Sequence, residues 1–355
     1  MNNRLRNIVF TAMNPGGFNA IAPLIQQMAQ EKSCTILLLC AQHAVDMAKK
    51  FHVPCIDATR HTKKTVKEFF EESPVDLLIA GTSTGMSVEK YCIEEAQLRN
   101  IPSIAVVDFW SNYAMRFSTP ETRDLAYLPN MVCAIDDSMK NGMMKEGISE
   151  SSIMVTGNPF FDTFKKEITQ VPDCILFISQ PFSEIYKEVD PYLTAPVFDE
   201  VAIFSDVVTV LVSLDVQLPV YIAFHPRSTE RQKFDTSIRD ASLDIRILDG
   251  STESMLHRSA VVVGMNSVML FQAALSGIPT VSYQPGITAA QDTLESNRLG
   301  ISRAAYQLQD LEKRLRECMD KGAEVGAAYR AARKKYVEHD ATKRVMSLIY
   351  SFLSL

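Results

Sequence analysis

The chain has 355 residues and a mass of 39.7 kDa, more than one hydrophobic core comfortably serves, so two domains are expected. Hydrophobic residues make up 46% and charged residues 22%, a globular balance that excludes a disordered chain. The net charge of −6, from 36 basic and 42 acidic side chains, argues against nucleic acid as a partner.

From the N-terminus, "NIVFTAM" reads as a strand and "NAIAPLIQQMAQE" as a helix. The apolar run is too short for a signal sequence, and no stretch approaches the roughly 18 apolar residues that a membrane span needs. A soluble cytoplasmic protein is the expectation. "CTILLLC" and "HAVDMAKKF" repeat the strand–helix alternation, as do "VDLLIAGTS" and "SVEKYCIEEAQLRN". "PSIAVVD", "MVCAIDD", the helix "SMKNGMMKEG" and "SIMVTGNP" complete the first half. Near-continuous apolar strands separated by helices imply a parallel sheet covered on both faces.

The alternation restarts at "DCILFISQP". "EVAIFSDVVTVLVSL" is too long for one strand and reads as a helix despite its valines. "PVYIAFHPR", "DIRILDG", "SAVVVGMNS" and "PTVSYQP" read as strands. The fold class is α/β, with two doubly wound Rossmann-like domains over residues 1–165 and 166–335. A charged C-terminal helix over 336–355 is expected to pack back on the first domain. The basic run Arg333 to Lys335 reads as a solvated helix face. Seven scattered cysteines, without CxxC spacing, read as reduced and mostly buried thiols.

Open α/β sheets bind ligands beyond the carboxyl ends of their strands, where helix N-termini offer unpaired N–H groups. Polar turns at those ends are the candidate sites. In "VVVGMNSVMLF", Gly264 permits a turn and a close approach, and Asn266 or Ser267 can cap the next helix. The turn serves equally as a simple cap or as a cradle for an anion. His225 and Arg227 end another strand and suit a phosphate, one as donor and the other as bidentate clamp. In the first half, Gly16 and Gly17 lie between the first strand and first helix, without the G-x-G-x-x-G spacing of a dinucleotide fold. Thr82, Ser83 and Glu89 follow another strand. Asp108, Trp110, Tyr113 and Arg116 follow a third, where an aromatic beside a carboxylate suits a sugar ring. Trp110 fits a packing patch between domains as well. The sequence has no D-x-D, P-loop, H-E-x-x-H or G-x-S-x-G motif, so kinase, zinc-hydrolase and serine-hydrolase readings fall away.

The halves and the segments "GGFNAIAPLIQQM", "VTGNPFFD" and "GMNSVMLFQAALSGIPTVSYQPG" resemble the GT-B superfamily, which includes nucleotide-sugar glycosyltransferases and UDP-N-acetylglucosamine 2-epimerases. The resemblance is nearest to bacterial surface-polysaccharide glycosyltransferases. It implies two domains facing a cleft, with a nucleotide diphosphate held by the second and an acceptor by the first. Gly264, Asn266 and Ser267 would then cradle the diphosphate, with His225 and Arg227 near the donor phosphates. Gln180, Tyr283 and Gln284 would line the nucleotide or sugar pocket. Gln272 stands where many members carry a glutamate that holds donor hydroxyls. Asp108 would deprotonate an acceptor hydroxyl, and Gly16, Gly17, Thr82, Ser83, Glu89, Trp110 and Arg116 would complete the substrate site. The implied partners are a nucleotide-sugar donor and a carbohydrate or lipid-linked acceptor, the latter bringing the protein to a membrane surface. No cofactor or metal is implied. The epimerases' "GTRPE"-like turn is replaced here by "AMNPGG", which counts against epimerisation. A sugar-nucleotide 2-epimerase or hydrolase, and a non-catalytic sensor or partner subunit, remain the alternatives.

Overall fold

In a computed structural model the described residues are 5–32, 34–60, 62–165, 171–189, 194–226, 228–239, 242–250, 252–321 and 326–353. The chain divides into two compact units, Met1–Thr163 with Glu338–Leu355, and Phe164–Val337. The strands are what the apolar runs require. Strand β1 (Arg6–Ala12) is buried over its last five residues, and the first strand of the second unit, Cys174–Ile178, is buried throughout. Side chains on both faces of such strands are apolar because helices cover both faces.

Among the described residues the first unit carries a seven-stranded parallel sheet. Its strands are β1, β2 (Cys34–Cys40), β3 (Cys55–Asp57), β4 (Leu77–Ala80), β5 (Ser103–Val106), β6 (Met131–Ala134) and β7 (Ile153–Val155). They lie in the order β3-β2-β1-β4-β5-β6-β7, so the winding reverses between β1 and β4. The second unit carries a six-stranded parallel sheet of β8 (Cys174–Ile178), β9 (Val220–Ala223), β10 (Ile245–Ile247), β11 (Ser259–Gly264), β12 (Thr280–Tyr283) and β13 (Arg303–Ala305). Its order, β10-β9-β8-β11-β12-β13, reverses between β8 and β11. The valine-rich run is the helix Glu200–Ser213, started by Asp199, whose carboxylate accepts from the amides of Val201 and Ala202.

The helix Ala341–Leu353 belongs to the first unit. Val345, Met346, Ile349 and Leu353 enter the same core as Ile8, Phe10 and Leu24. Their three- and four-residue spacing gives the helix one apolar stripe. Its start is fixed by Asp162, which accepts from the amides of Ala341 and Thr342. The six cysteines other than Cys55 are buried. Burial pushes the Cys133 thiol up to about 12 and that of Cys318 up to about 11.

Candidate functional site

In the first unit the switch point lies beyond β1 and β4. The first helix begins earlier than the sequence suggests, at Pro15, because proline is preorganised for the first helical position. Gly16 and Gly17 therefore sit inside the first turn of Pro15–Glu31 rather than in a loop. Both are there for lack of a side chain. A Cβ on Gly17 would come within 2.9 Å of the Thr82 amide, and one on Gly16 within 2.1 Å of Asp108 Oδ2.

Asp108 follows β5, with its side chain 18% exposed. Its Oδ1 accepts from Arg116 Nη1 at 2.7 Å and from Thr82 Oγ1 at 3.4 Å. Arg116 is 8% exposed, and the same Nη1 reaches Thr82 Oγ1 at 2.7 Å while Nε donates to the Ser111 carbonyl. Arg116 is thus committed to holding Asp108, not presented as an open anion fork. Its burial with a charged partner satisfies both groups.

A second network closes the same strand ends. Glu89 Oε1 accepts from the Met13 amide at 3.0 Å and from Ser83 Oγ at 2.8 Å, and Asn14 Nδ2 donates to Ser83 Oγ. Glu89 is 2% exposed, and its Oε2 is buried without a partner among the described residues. Trp110 does not offer a face to a sugar. It is buried, stacked on Phe161 with centroids 6.2 Å apart, and its Nε1 donates to Asp136 Oδ1. Packing is the role this geometry gives it. A cavity of about 420 Å³ opens beside this network, beyond β1–β3, lined among others by Met13, Gln42, Thr59, Lys63, Ser87 and Tyr91.

In the second unit the switch point lies between β8 and β11, and Gln180 spans it. Its Nε2 donates to the Asn266 carbonyl at 2.6 Å, and its Oε1 accepts from the Asn266 amide at 3.0 Å. A side-chain amide thus pairs with a main-chain amide as a neighbouring strand would. Gln180 latches the turn and does not line a pocket with free polar atoms. Asn266 Nδ2 donates to Thr293 Oγ1, and its Oδ1 is buried and unpartnered among the described residues. Ser267 is the cap, its Oγ accepting from the Met269 amide at 3.2 Å. Main-chain N–H groups of Ser267 and Val268 have no acceptor among the described residues, as expected at the start of the helix Val268–Leu275. Gly264 does not supply a turn. It ends β11, where a Cβ would come 3.0 Å from the Ile178 carbonyl oxygen.

Tyr283 is 2% exposed and donates to Asp206 Oδ2 at 2.8 Å; burial, then that carboxylate, raises its pKa. It is a core residue, because the last position of β12 points into the layer under the sheet. Gln284 is fully buried and donates to Ser282 Oγ and Asp292 Oδ1. Gln284 Oε1 and Gln272 Oε1 are buried without partners among the described residues. His225 lies in the loop after β9, where its carbonyl accepts from the Ser228 amide; Arg227 lies outside the described residues.

Two charged groups escape a reading of the sequence. Glu184 accepts from Ser228 Oγ, Thr229 N and Thr229 Oγ1, fastening the segment that follows His225. Burial raises its pKa, but those hydrogen bonds and the Lys233 charge outweigh that and hold it at about 2. Lys90 is 1% exposed and donates to the carbonyls of Met115 and Ser118. Neither position carries a motif, and a single charged residue in a helix ordinarily faces water.

Known proteins resemble the chain in two ways. The profile of the alpha-2,8-polysialyltransferase family matches residues 137–284, less than half of the chain. No curated protein matches it in sequence. Among solved structures, Staphylococcus aureus MnaA, in a co-structure with UDP, is 14% identical with a TM-score of 0.69, covering 99% of this chain and 98% of that one. Anabaena Alr3699/HepE, in complex with UDP and glucose, is 12% identical with a TM-score of 0.66, covering 98% and 100%. The UDP-GlcNAc 2-epimerase of Methanocaldococcus jannaschii is 13% identical with a TM-score of 0.65, covering 97% and 99%. At such identities the likeness is one of fold. The two parallel sheets and the near-complete coverage make this a two-domain α/β architecture of the GT-B type. The segment matched by the family profile contains the strands β7 to β12.

Proposed function

We propose that this protein is a metal-independent glycosyltransferase, moving a sugar from a nucleotide-activated donor to a hydroxyl acceptor in surface-polysaccharide or glycoconjugate synthesis. The observation that carries the reading is the content of the family-matched segment. Residues 137–284 include the whole latched turn from Gln180 to Ser267 at the second switch point. The family's name makes a sialylated donor and acceptor the first pair to test.

The second unit binds the donor. Unpaired amides of Ser267 and Val268, at the positive end of a helix, meet the phosphate next to the sugar. His225 adds a donor from the loop that follows β9. The acceptor oxygen bonds to the anomeric carbon as the bond from that carbon to the phosphate oxygen breaks. The phosphate leaves with the electron pair, and the helix amides stabilise its charge. Asp108 takes the acceptor proton on Oδ2, since Arg116 and Thr82 occupy Oδ1.

The test is an assay of the purified chain with UDP-, CMP- and GDP-sugars, with and without oligosaccharide acceptors, in EDTA. The expected result is transfer from one donor class at a rate EDTA does not change. A change of configuration at C2 of UDP-GlcNAc without acceptor would favour the epimerase reading, which the fold neighbours support. Free sugar released without acceptor would favour a hydrolase. Binding of no nucleotide sugar, read as no shift of the melting temperature, would overturn the proposal.

A further inference from the structure

Arg116 rides on a helix of one turn, Tyr113–Arg116, entered through Asn112 in a left-handed conformation with φ 56°. A single turn is far too short to hold itself together. It is pinned from outside, by Glu146 accepting from the Ala114 amide and by the Tyr127 amide donating to the Phe117 carbonyl. A further pin is an ammonium group. Lys90 Nζ donates to the Met115 carbonyl at 2.9 Å and to the Ser118 carbonyl at 2.7 Å, gripping the chain on both sides of Arg116.

Burying an ammonium is costly unless something repays it. No carboxylate lies within ion-pair distance of Lys90 among the described residues, so a salt bridge is not the reason. The charged and titratable groups around it are Glu89 on its own helix, Asp124, Arg116 and, 5.9 Å from Nζ, the ring of Tyr127. The Val88–Leu98 helix buries Glu89 and Glu95 beside Val88, Cys92, Ile93 and Ala96, and Lys90 is the basic side chain it buries with them.

We propose that Lys90 is a positioning residue for Asp108, clamping the carbonyls that flank Arg116 so that the guanidinium stays on Asp108 Oδ1 and leaves Oδ2 open. The proposal rests on the reading of Asp108 as the base. The next residue back, Glu89, ties the same helix to the β1 loop through the Met13 amide. One helix start therefore fixes the loop after β1 and, through Lys90, the segment that follows Asp108.

The test uses Lys90→Met and Lys90→Gln in the full chain. Lys90→Met should reduce kcat 10- to 100-fold while the donor KM changes less than twofold, and Lys90→Gln, which keeps a donor, should recover part of the loss. In an Arg116→Ala background, Lys90→Met should cost nothing further, because the clamp acts only through Arg116. Hydrogen exchange should show lost protection at residues 113–118 in Lys90→Met, with the amides of β1 and β4 unchanged. If Lys90→Met does not fold, Lys90→Gln carries the same comparisons. Unchanged kcat, or additive losses with Arg116→Ala, would overturn the proposal. Failure of the wild-type chain to transfer any sugar would instead overturn the reading of Asp108. The exchange measurement then still decides whether the clamp exists, and unchanged protection at 113–118 would refute it.

Discussion

Asp108 has one carboxylate oxygen engaged by Arg116 and Thr82 and the other set against Gly16. Asp108→Asn keeps the shape and removes the proton acceptor. Transfer should fall by roughly 10²- to 10⁴-fold, the usual contribution of a general base, with donor affinity within twofold in calorimetry. Equal loss of both would make Asp108 structural. Gly16→Ala puts a methyl group where Oδ2 now lies, 2.1 Å away, so the carboxylate must move. It should lower kcat by at least tenfold without unfolding the chain, and full activity would show that Oδ2 has no fixed place in the reaction. Lys90 gives a stability signature of its own. Burial, first among its influences, lowers its pKa from 10.5 to about 8. The unfolded chain then binds the proton more tightly, so stability should rise between about pH 8 and 10.5 by something on the order of 3 kcal/mol. Denaturant titrations should find that rise in the wild type and not in Lys90→Met. The sequence reveals Asp108 as a strand-end acid but not its partners. Trp110 and Tyr283 read as site residues because a strand-end aromatic looks the same whether it faces a ligand or the core. One residue of register decides that.

At the scale of elements, the sequence marks the strands best where they are most buried. "CTILLLC" is β2 to the residue, and the helix Glu200–Ser213 falls inside the run read as helical. The strands β3 and β13 go unread, since neither "CID" nor "RAA" is an unbroken apolar run. The first-helix start is misread because Gly16 and Gly17 suggest a loop, whereas close packing against Thr82 and Asp108 is what excludes side chains there. The latch at the second switch point is also beyond the sequence. Gln180 and Asn266 are 86 positions apart and meet only through the order β9-β8-β11. Gln180→Ala removes both latch bonds and leaves the Asn266 amide and carbonyl without these partners. A loss of about 1–3 kcal/mol in unfolding free energy is expected, with at least tenfold weaker nucleotide binding. A variant with normal affinity would separate the latch from the site.

For the whole molecule, the two sheets repeat one design, a parallel sheet whose winding reverses beside its first strand. That repetition was legible from the restart of the strand–helix alternation at "DCILFISQP". The division of labour between the units is the part that residue patterns alone do not fix, because fold and reaction are separable. The central claim is that the second unit grips a donor phosphate with the amides that open the helix Val268–Leu275. Hydrogen exchange of the full chain, with and without a saturating nucleotide sugar, tests it most directly. Slowed exchange at Ser267 and Val268 is expected, with little change along β1 and β4. Saturation by the ligand with those two amides exchanging as fast as before would contradict it.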